Sequence, residues 1–221
     1  MTNLNNLTKE DVQRLIDDLR AIAPNRPLTY GESIQVARRQ AAYLRRWTDP
    51  EKHDINLLWL LDQKAIPVRR VPSHELREES GLTTDLINPW LEMLINQDEP
   101  LVRQRFSLLH EFKHALDFYD APTLHRKLGT GSAKLQKDMI EAIANEFAGH
   151  VLMPTPNVKR LWFSTKDLGL MANLFNVSRE AMSTRLERMG LIGEPKPHPR
   201  VYFRTVGQTV PAETSNVLAV A

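Results

Sequence analysis

Five residues constrain this chain more than any others: His110, Glu111, Phe112, Lys113 and His114, which form an H-E-x-x-H pattern. On an α-helix, side chains four residues apart lie one above the other on the same face. The two imidazoles would therefore lie close enough to bind one metal ion, and the glutamate would lie beside the open position of that metal. The pattern predicts a helix with a zinc site on one face.

A five-residue pattern of this kind also arises by chance, with a probability of roughly one to two in a hundred for a chain of this composition. The context favours a genuine helix, because apolar residues recur at three- and four-residue spacing within residues 101–119. This stripe comprises Leu108, Leu109, Phe112, Ala115, Leu116 and Tyr119. The two histidines lie beside the stripe, where they can face a cleft while the helix packs into the core.

A catalytic zinc ion usually has three protein ligands and keeps one position for water. Residues 138–154 predict a second amphipathic helix, which offers Glu141 as the third ligand. Asn145 lies one turn later on the same face, where its amide oxygen can accept the ring N–H of a ligating histidine. Glu146 and His150 are alternative third ligands and rank below Glu141.

The HEFKH pattern and the later EAIANEFAGHVLMP segment together resemble the ImmA/IrrE family of bacterial and phage metallopeptidases. The resemblance implies that His110, His114 and Glu141 bind Zn²⁺ and that Glu111 is the catalytic general base. It also implies an endopeptidase that cleaves a helix-turn-helix transcriptional repressor in a stress, phage or mobile-element switch. Lys113 stands where the family often has glycine, and we expect it to change the charge near the cleft and so the substrate that is accepted.

The rest of the chain predicts an α+β fold that is mainly helical. Thr8 is expected to cap a first helix, and further helices are expected at residues 33–47 and 55–64. Strand-like stretches at residues 65–71 and 90–96 predict a small, mainly antiparallel sheet. With the two site helices, these elements match a minimal zincin-like (gluzincin-type) metallopeptidase core.

Residues 166–190 have the pattern of a helix-turn-helix, with Ala172 at the helix crossing, Asn176 in the turn and Ser178 as the cap of the second helix. Two glutamates on that second helix would repel the phosphates of DNA. A structural or substrate-holding role is therefore favoured over sequence-specific DNA binding. The predicted organisation is an N-terminal helix (1–29), a zincin-like domain (30–160), a helix-turn-helix-like element (161–193) and a loosely ordered tail (194–221).

Residues 120–137 predict a loop between the two site helices, because they contain Pro122, Gly129 and Gly131. His125 in this loop is expected to be solvated rather than a fourth ligand. The other histidines outside the site, His53, His74 and His198, are likewise expected at the surface. Tyr119 and His150 are the candidates for a donor to the oxyanion of the transition state.

Composition excludes several classes of protein. The chain has no cysteine, which excludes a thiolate metal site or a disulfide framework and fits a reducing cytosol. We expect a cytoplasmic protein without a membrane partner, since neither a secretory signal nor a membrane span is evident. The 29 Lys and Arg residues nearly balance the 27 Asp and Glu residues, so charge alone gives no reason to expect nucleic-acid binding.

Two alternatives to a zinc-dependent endopeptidase remain. One is a DNA-binding regulator in which the zinc site is structural or vestigial. The other is a protein-interaction module that captures a repressor without cutting it.

Overall fold

The fold is that of a computed structural model, which describes residues 7–47, 52–62, 66–76, 82–83 and 91–193. The predicted tail and His198 lie outside these residues. The described helices are α1 (Lys9–Ala21), α2 (Tyr30–Arg45), α3 (Leu58–Asp62), α4 (Leu101–Asp117), α5 (Ala121–Leu124), α6 (Ala133–Leu152), α7 (Thr155–Thr165), α8 (Leu168–Phe175) and α9 (Arg179–Arg188). The described strands are β1 (Val68–Val71), β2 (Leu82–Thr83) and β3 (Glu92–Asn96). The mainly helical α+β class is confirmed, and none of these helices is long and apolar enough to span a bilayer.

The first two helices begin with the same capping arrangement. The hydroxyl oxygen of Thr8 accepts the backbone N–H of Asp11, and the Asp11 carboxylate accepts the backbone N–H of Thr8, both at 3.1 Å. Thr29 and Glu32 repeat this reciprocal pair at the start of α2. The predicted cap at Thr8 is confirmed, whereas α2 begins at Tyr30 and not at residue 33, because the second capping box sets its start.

The three strands form one mixed sheet in the order β1-β3-β2. β1 and β3 run parallel, with Val68 opposite Met93 and Val71 opposite Asn96. β2 is antiparallel to β3. The predicted antiparallel direction is therefore wrong for the longer strand pair, because the chain between Val71 and Glu92 is long enough for the crossover that parallel strands require.

α4 carries the H-E-x-x-H pattern and packs against α6. Phe112 is fully buried and meets the Trp59 ring edge-on, with the ring centroids 5.9 Å apart. α4 ends at Asp117, so Tyr119 lies beyond the helix with 67% of its surface exposed. Its assignment to the buried stripe is wrong, since the helical spacing on which it depended no longer applies there.

The connection between α4 and α6 contains more helix than predicted. α5 occupies four of its residues, and α6 begins at Ala133, where the Ser132 hydroxyl accepts the backbone N–H of Leu135 at 3.2 Å. Gly129 has a left-handed φ of 55°, and a Cβ there would lie 2.2 Å from the Gln136 nitrogen. The predicted loop is therefore confined to the residues around this glycine, where only glycine fits.

α8 and α9 are joined by a turn of three residues, in which Asn176 and Ser178 take the predicted turn and cap positions. Asn176 ends α8 in the left-handed region with φ 52° and ψ 54°, and the Ser178 hydroxyl accepts the N–H of Ala181 at 3.1 Å. α7, which begins at Thr155 directly after Pro154, was not predicted, because a proline that ends one helix also suits the start of the next.

A single hydrophobic cluster connects the first described helix to the last. It includes Leu15 of α1, Phe112 of α4, Phe147 of α6, Phe175 of α8 and Leu186 of α9. α4 and α6 pack against each other, and both contribute buried side chains to this cluster. The two helices that carry the predicted ligands are thus held by packing along their length.

Candidate metal centre and its cleft

α4 and α6 bring together His110, His114 and Glu141. The Nε2 atoms of the two histidines are 3.0 Å apart. Glu141 Oε2 lies 3.1 Å from His110 Nε2, and Glu141 Oε1 lies 3.6 Å from His114 Nε2. Within the described part of the chain, these three side chains form the group of His, Asp or Glu residues whose ligand atoms all lie close enough to hold one metal ion.

The spacing of these atoms fits a zinc ion. Zn²⁺ binds histidine nitrogen and carboxylate oxygen at about 2.0–2.1 Å in a tetrahedron, which places neighbouring ligand atoms about 3.3 Å apart. The observed separations of 3.0, 3.1 and 3.6 Å lie on either side of this value. Two imidazoles and one carboxylate are also a known ligand set of catalytic zinc sites, which leave a fourth position open.

Asn145 supports the first histidine. His110 Nδ1 lies 3.0 Å from Asn145 Oδ1, and an amide oxygen can only accept, so the proton is on Nδ1. In the neutral form of the ring, this hydrogen bond leaves the lone pair on His110 Nε2, which is directed toward His114 and Glu141. The one-turn spacing of Glu141 and Asn145 on α6 produces both contacts at once.

The charges around the three side chains are tightly coupled. Hydrogen bonds to His110 and His114 hold the pKa of Glu141 well below its ordinary value. Burial alone would lower the pKa of His110, but the hydrogen bond to Glu141 and the charge of Glu111 raise it. The anionic Glu141 carboxylate therefore favours a positive charge between itself and the two histidine rings.

Glu111 differs from Glu141 in its surroundings. Its side chain is buried, and Oε2 has no hydrogen-bond partner among the residues that the structure describes. Burial raises the pKa of Glu111 to about 7, against a smaller lowering effect from His110. Because this carboxyl group lines the same cleft as His110 and Glu141, it can exchange a proton with a molecule bound there.

The cleft beside the metal centre has a volume of about 640 Å³. α4 contributes Val102, Phe106 and His110 to its lining, and α6 contributes Glu141 and Asn145. The remaining wall comes from α9 and its preceding turn, through Val177, Ser178, Glu180, Ala181, Thr184, Arg185 and Arg188. This volume is in the range of sites that hold a small molecule or a few residues of a peptide.

The two alternative ligands are engaged elsewhere. Arg38 of α2 donates from Nε to Glu146 Oε1 at 2.7 Å. Burial would raise the pKa of Glu146, but the charge of His150 and this hydrogen bond from Arg38 keep it low. His150 Nδ1 lies 3.0 Å from the Glu146 carbonyl oxygen. Burial and the nearby Arg185 lower the pKa of His150 to about 4. Neither residue belongs to the group around His110.

Lys113 does not reach the cleft, contrary to expectation. Its side chain is buried, and Nζ donates to Asp117 Oδ1 at 2.5 Å. His125 Nε2 lies 3.4 Å from the other carboxylate oxygen of Asp117. His125 is therefore buried, and the prediction that it is solvated is wrong. Burial would raise the pKa of Asp117, but Lys113 and His125 outweigh it and keep that pKa low. Lys113 points away from the cleft because neighbouring residues on a helix point about 100° apart.

The other predicted surface and donor residues are placed as follows. His74 is exposed as expected, whereas His53 is half-buried with its ring 5.2 Å from that of Phe175. Tyr119 and His150, the candidates for an oxyanion donor, are not among the described residues that line the cleft. The cleft wall on α9 was not anticipated, although the spacing of Ala181, Thr184 and Arg188 on one helical face is visible in the sequence.

Comparisons with known proteins identify the family of this chain. Residues 62–187, more than half of the 221 residues, match the peptidase M78 family, described as IrrE N-terminal-like domain. No protein with a curated description matches the chain. Among solved structures, the fold is similar to that of a Mycobacterium tuberculosis transcriptional regulator, with a TM-score of 0.51 and 17% sequence identity. That match covers 78% of this chain and 51% of the other, so this chain spans about half the length of that structure. The family match confirms the resemblance drawn from HEFKH and the α6 segment, and the chain belongs to the peptidase M78 family.

Proposed function

We propose that this protein is a zinc-dependent endopeptidase. His110, His114 and Glu141 would hold the zinc ion, and Glu111 would be the general base. The observation that carries the proposal is the position of Glu111, a buried carboxyl group with one unpartnered oxygen, beside a cluster of two histidines and one carboxylate at a cleft. Family membership supports the same reaction class.

The zinc ion, when bound, would polarise the scissile carbonyl group and lower the pKa of a water molecule to about 7. Glu111 would take the proton of that water as it attacks the carbonyl carbon. It would then deliver this proton to the leaving amine. Burial favours the neutral form of Glu111, which helps this group to hold the proton between the two transfers. Asn145 would keep the His110 ring in the ligating tautomer throughout.

For the substrate we propose a helix-turn-helix transcriptional repressor, by analogy with the family named above. Cleavage would release genes that respond to stress, phage or mobile elements. DNA binding by α9 is less well supported, because much of its polar face lines the cleft and Arg185 is buried. Capture of a repressor without cutting would need the same cleft but no general base.

The first experiment compares the wild type with Glu111→Gln. We expect equal zinc content by elemental analysis and a cleavage rate at least about a hundredfold lower in the variant, since general-base catalysis contributes about 10²–10⁴. Mass spectrometry of a repressor after incubation separates cutting from capture. A Glu111→Gln protein that cuts as fast as the wild type would remove Glu111 from the mechanism.

The second experiment assigns the third ligand. Glu141→Gln should lose zinc affinity by at least about tenfold, since a ligating carboxylate is replaced by a neutral amide. Glu146→Gln is the matched control, because its carboxylate lies on the same helix but pairs with Arg38. Retention of zinc by Glu141→Gln with loss in Glu146→Gln would reverse the assignment.

A further inference from the structure

The α9 wall of the cleft presents a single helical face. Val177, Ala181, Thr184 and Arg188 recur at three- and four-residue spacing and all line the cleft. The opposite side of α9 is buried in the core through Met182 and Leu186. A chain lying in the cleft would therefore touch this one face of α9.

The α9 wall is held in a fixed position relative to the metal centre. Arg185 is buried and donates from Nε to the Met153 carbonyl oxygen at 3.2 Å, directly after the end of α6. Its Nη2 donates to Thr155 Oγ1 at 2.9 Å. Because α6 also carries Glu141, these contacts set the distance between the α9 face and the ligands.

Several charged groups of the cleft already have partners. Glu141 contacts the two histidines of the metal centre. Glu146 pairs with Arg38 at 2.7 Å, and Arg103 pairs with Glu99 at 3.1 Å. These groups are neutralised within the protein before any substrate arrives.

Arg188 differs from them. It lines the cleft, it is exposed, and it makes no hydrogen bond or ion pair with another residue in the described part of the chain. Glu180, the acidic residue on the cleft side of α9, lies about two turns away, or about 12 Å along the helix. Among the described residues of α9 that line the cleft, the acid is thus two turns from Arg188, and the neighbouring Glu187 does not line the cleft.

We propose that Arg188 is a specificity-determining residue that binds an Asp or Glu side chain of the substrate polypeptide. A guanidinium group binds a carboxylate through two parallel hydrogen bonds, and a cleft that excludes part of the water strengthens this pair. Because α9 is anchored to α6, the acidic residue would lie at a constant number of positions from the scissile bond. This inference rests on the proposed function, since it takes the cleft to hold a peptide chain.

The test measures binding separately from cleavage. Zinc-loaded Glu111→Gln protein is titrated into two pools of fluorescein-labelled random twelve-residue peptides, one containing Asp and Glu but no Lys or Arg, the other the reverse. Fluorescence polarisation should show tighter binding of the acidic pool, by about tenfold. Adding Arg188→Glu should reverse the preference, and adding Arg188→Gln should abolish it.

Arg179→Glu is the matched control, because Arg179 is exposed on the same helix but does not line the cleft. It should leave the acidic preference unchanged. An acidic preference that survives Arg188→Glu, equal affinity for both pools, or binding of neither pool would overturn the inference.

Wild-type protein incubated with the same pools tests the proposed function independently. We expect cut sites, found by mass spectrometry, with Asp or Glu enriched at one fixed position. Should the wild type cut neither pool while Glu111→Gln shows an Arg188-dependent preference, the peptidase proposal fails and the role of Arg188 stands. If the wild type cuts peptides without enrichment of Asp or Glu at a fixed position, the peptidase proposal stands and the role of Arg188 fails.

Discussion

Two glutamates of the same site have opposite electrostatic surroundings. Glu141 is half-buried and contacts two histidines, which lowers its pKa and keeps it anionic. Glu111 forms no ion pair within the described part of the chain, and burial raises its pKa to about 7. Environments that push the pKa values of two carboxyl groups apart commonly give them different tasks. Here the anionic group is suited to hold a cation, and the group near neutrality is suited to carry a proton.

Lys113 shows that a residue inside a motif need not act in the site. Lys113→Met would leave the buried Asp117 with only His125 as a charged contact. We expect the free energy of unfolding to fall by about 3 kcal/mol in urea titrations, because an unpaired buried charge is costly. Peptide preference should stay as in the wild type.

The matched control is Lys134→Met, on the exposed side of α6, which should change stability by less than about 0.5 kcal/mol. The double variant Lys113→Met/Asp117→Leu should recover most of the loss, since neither charge is then left alone. A Lys113→Met protein of normal stability but altered peptide preference would place Lys113 in the cleft after all.

At the scale of elements, three helices form the candidate site and its cleft. α4 supplies two histidines and Glu111, α6 supplies Glu141 and Asn145, and α9 closes the far side of the cleft. Gly149 on α6 lines this cleft, and a Cβ placed there would meet no atom within 4 Å. The missing side chain therefore keeps the cleft open between α6 and α9.

Substitution of Gly149 tests whether the missing side chain keeps the cleft open. Gly149→Ala should raise the free energy of unfolding by about 0.5–1 kcal/mol, because alanine is the better helix former and fits without a clash. Gly149→Leu should keep its zinc content but cleave peptides at least about tenfold more slowly, since its side chain would occupy the cleft. Gly31→Leu is the control, as Gly31 also meets nothing within 4 Å but lies on α2, outside the cleft lining. Normal cleavage by Gly149→Leu would mean that substrate does not pass this part of α6.

At the scale of the whole molecule, a metal ion would join α4 to α6. Both helices belong to the hydrophobic cluster that runs from α1 to α9, so a link between them should stabilise the entire described fold. A ligand that binds only the folded state adds about 2.7 kcal/mol at a concentration a hundred times its Kd. For a chain of this length, each kcal/mol raises Tm by about 2–4 °C.

We therefore expect Zn²⁺ to raise Tm by about 5–10 °C in scanning calorimetry and a chelator to reverse the rise. Glu111→Gln should keep the full shift, because Glu111 is not a ligand. His114→Gln should lose most of it, and His74→Gln, which alters an exposed histidine on a 3-10 turn, should not. An equal shift in His114→Gln and the wild type would mean that zinc binds elsewhere.

Local periodicity made the grouping of the candidate metal ligands predictable from the sequence. His110 and His114 are one helical turn apart, and so are Glu141 and Asn145, and these spacings specify shared faces whatever surrounds the helix. The cap at Thr8 and the turn at Asn176 are predictable for the same reason, since each depends on residues within one turn.

Tertiary packing decided which faces met and which were buried. Lys113 and His125 became buried because Asp117 lies between them, and the direction of β1 relative to β3 depended on a crossover and not on either strand. The α9 wall of the cleft exists because Arg185 reaches the end of α6, far away in the sequence. The sequence by itself thus determined the candidate ligands and the candidate base, because their spacing is local. The tertiary structure decided the shape and charge of the cleft, because those depend on contacts between distant helices.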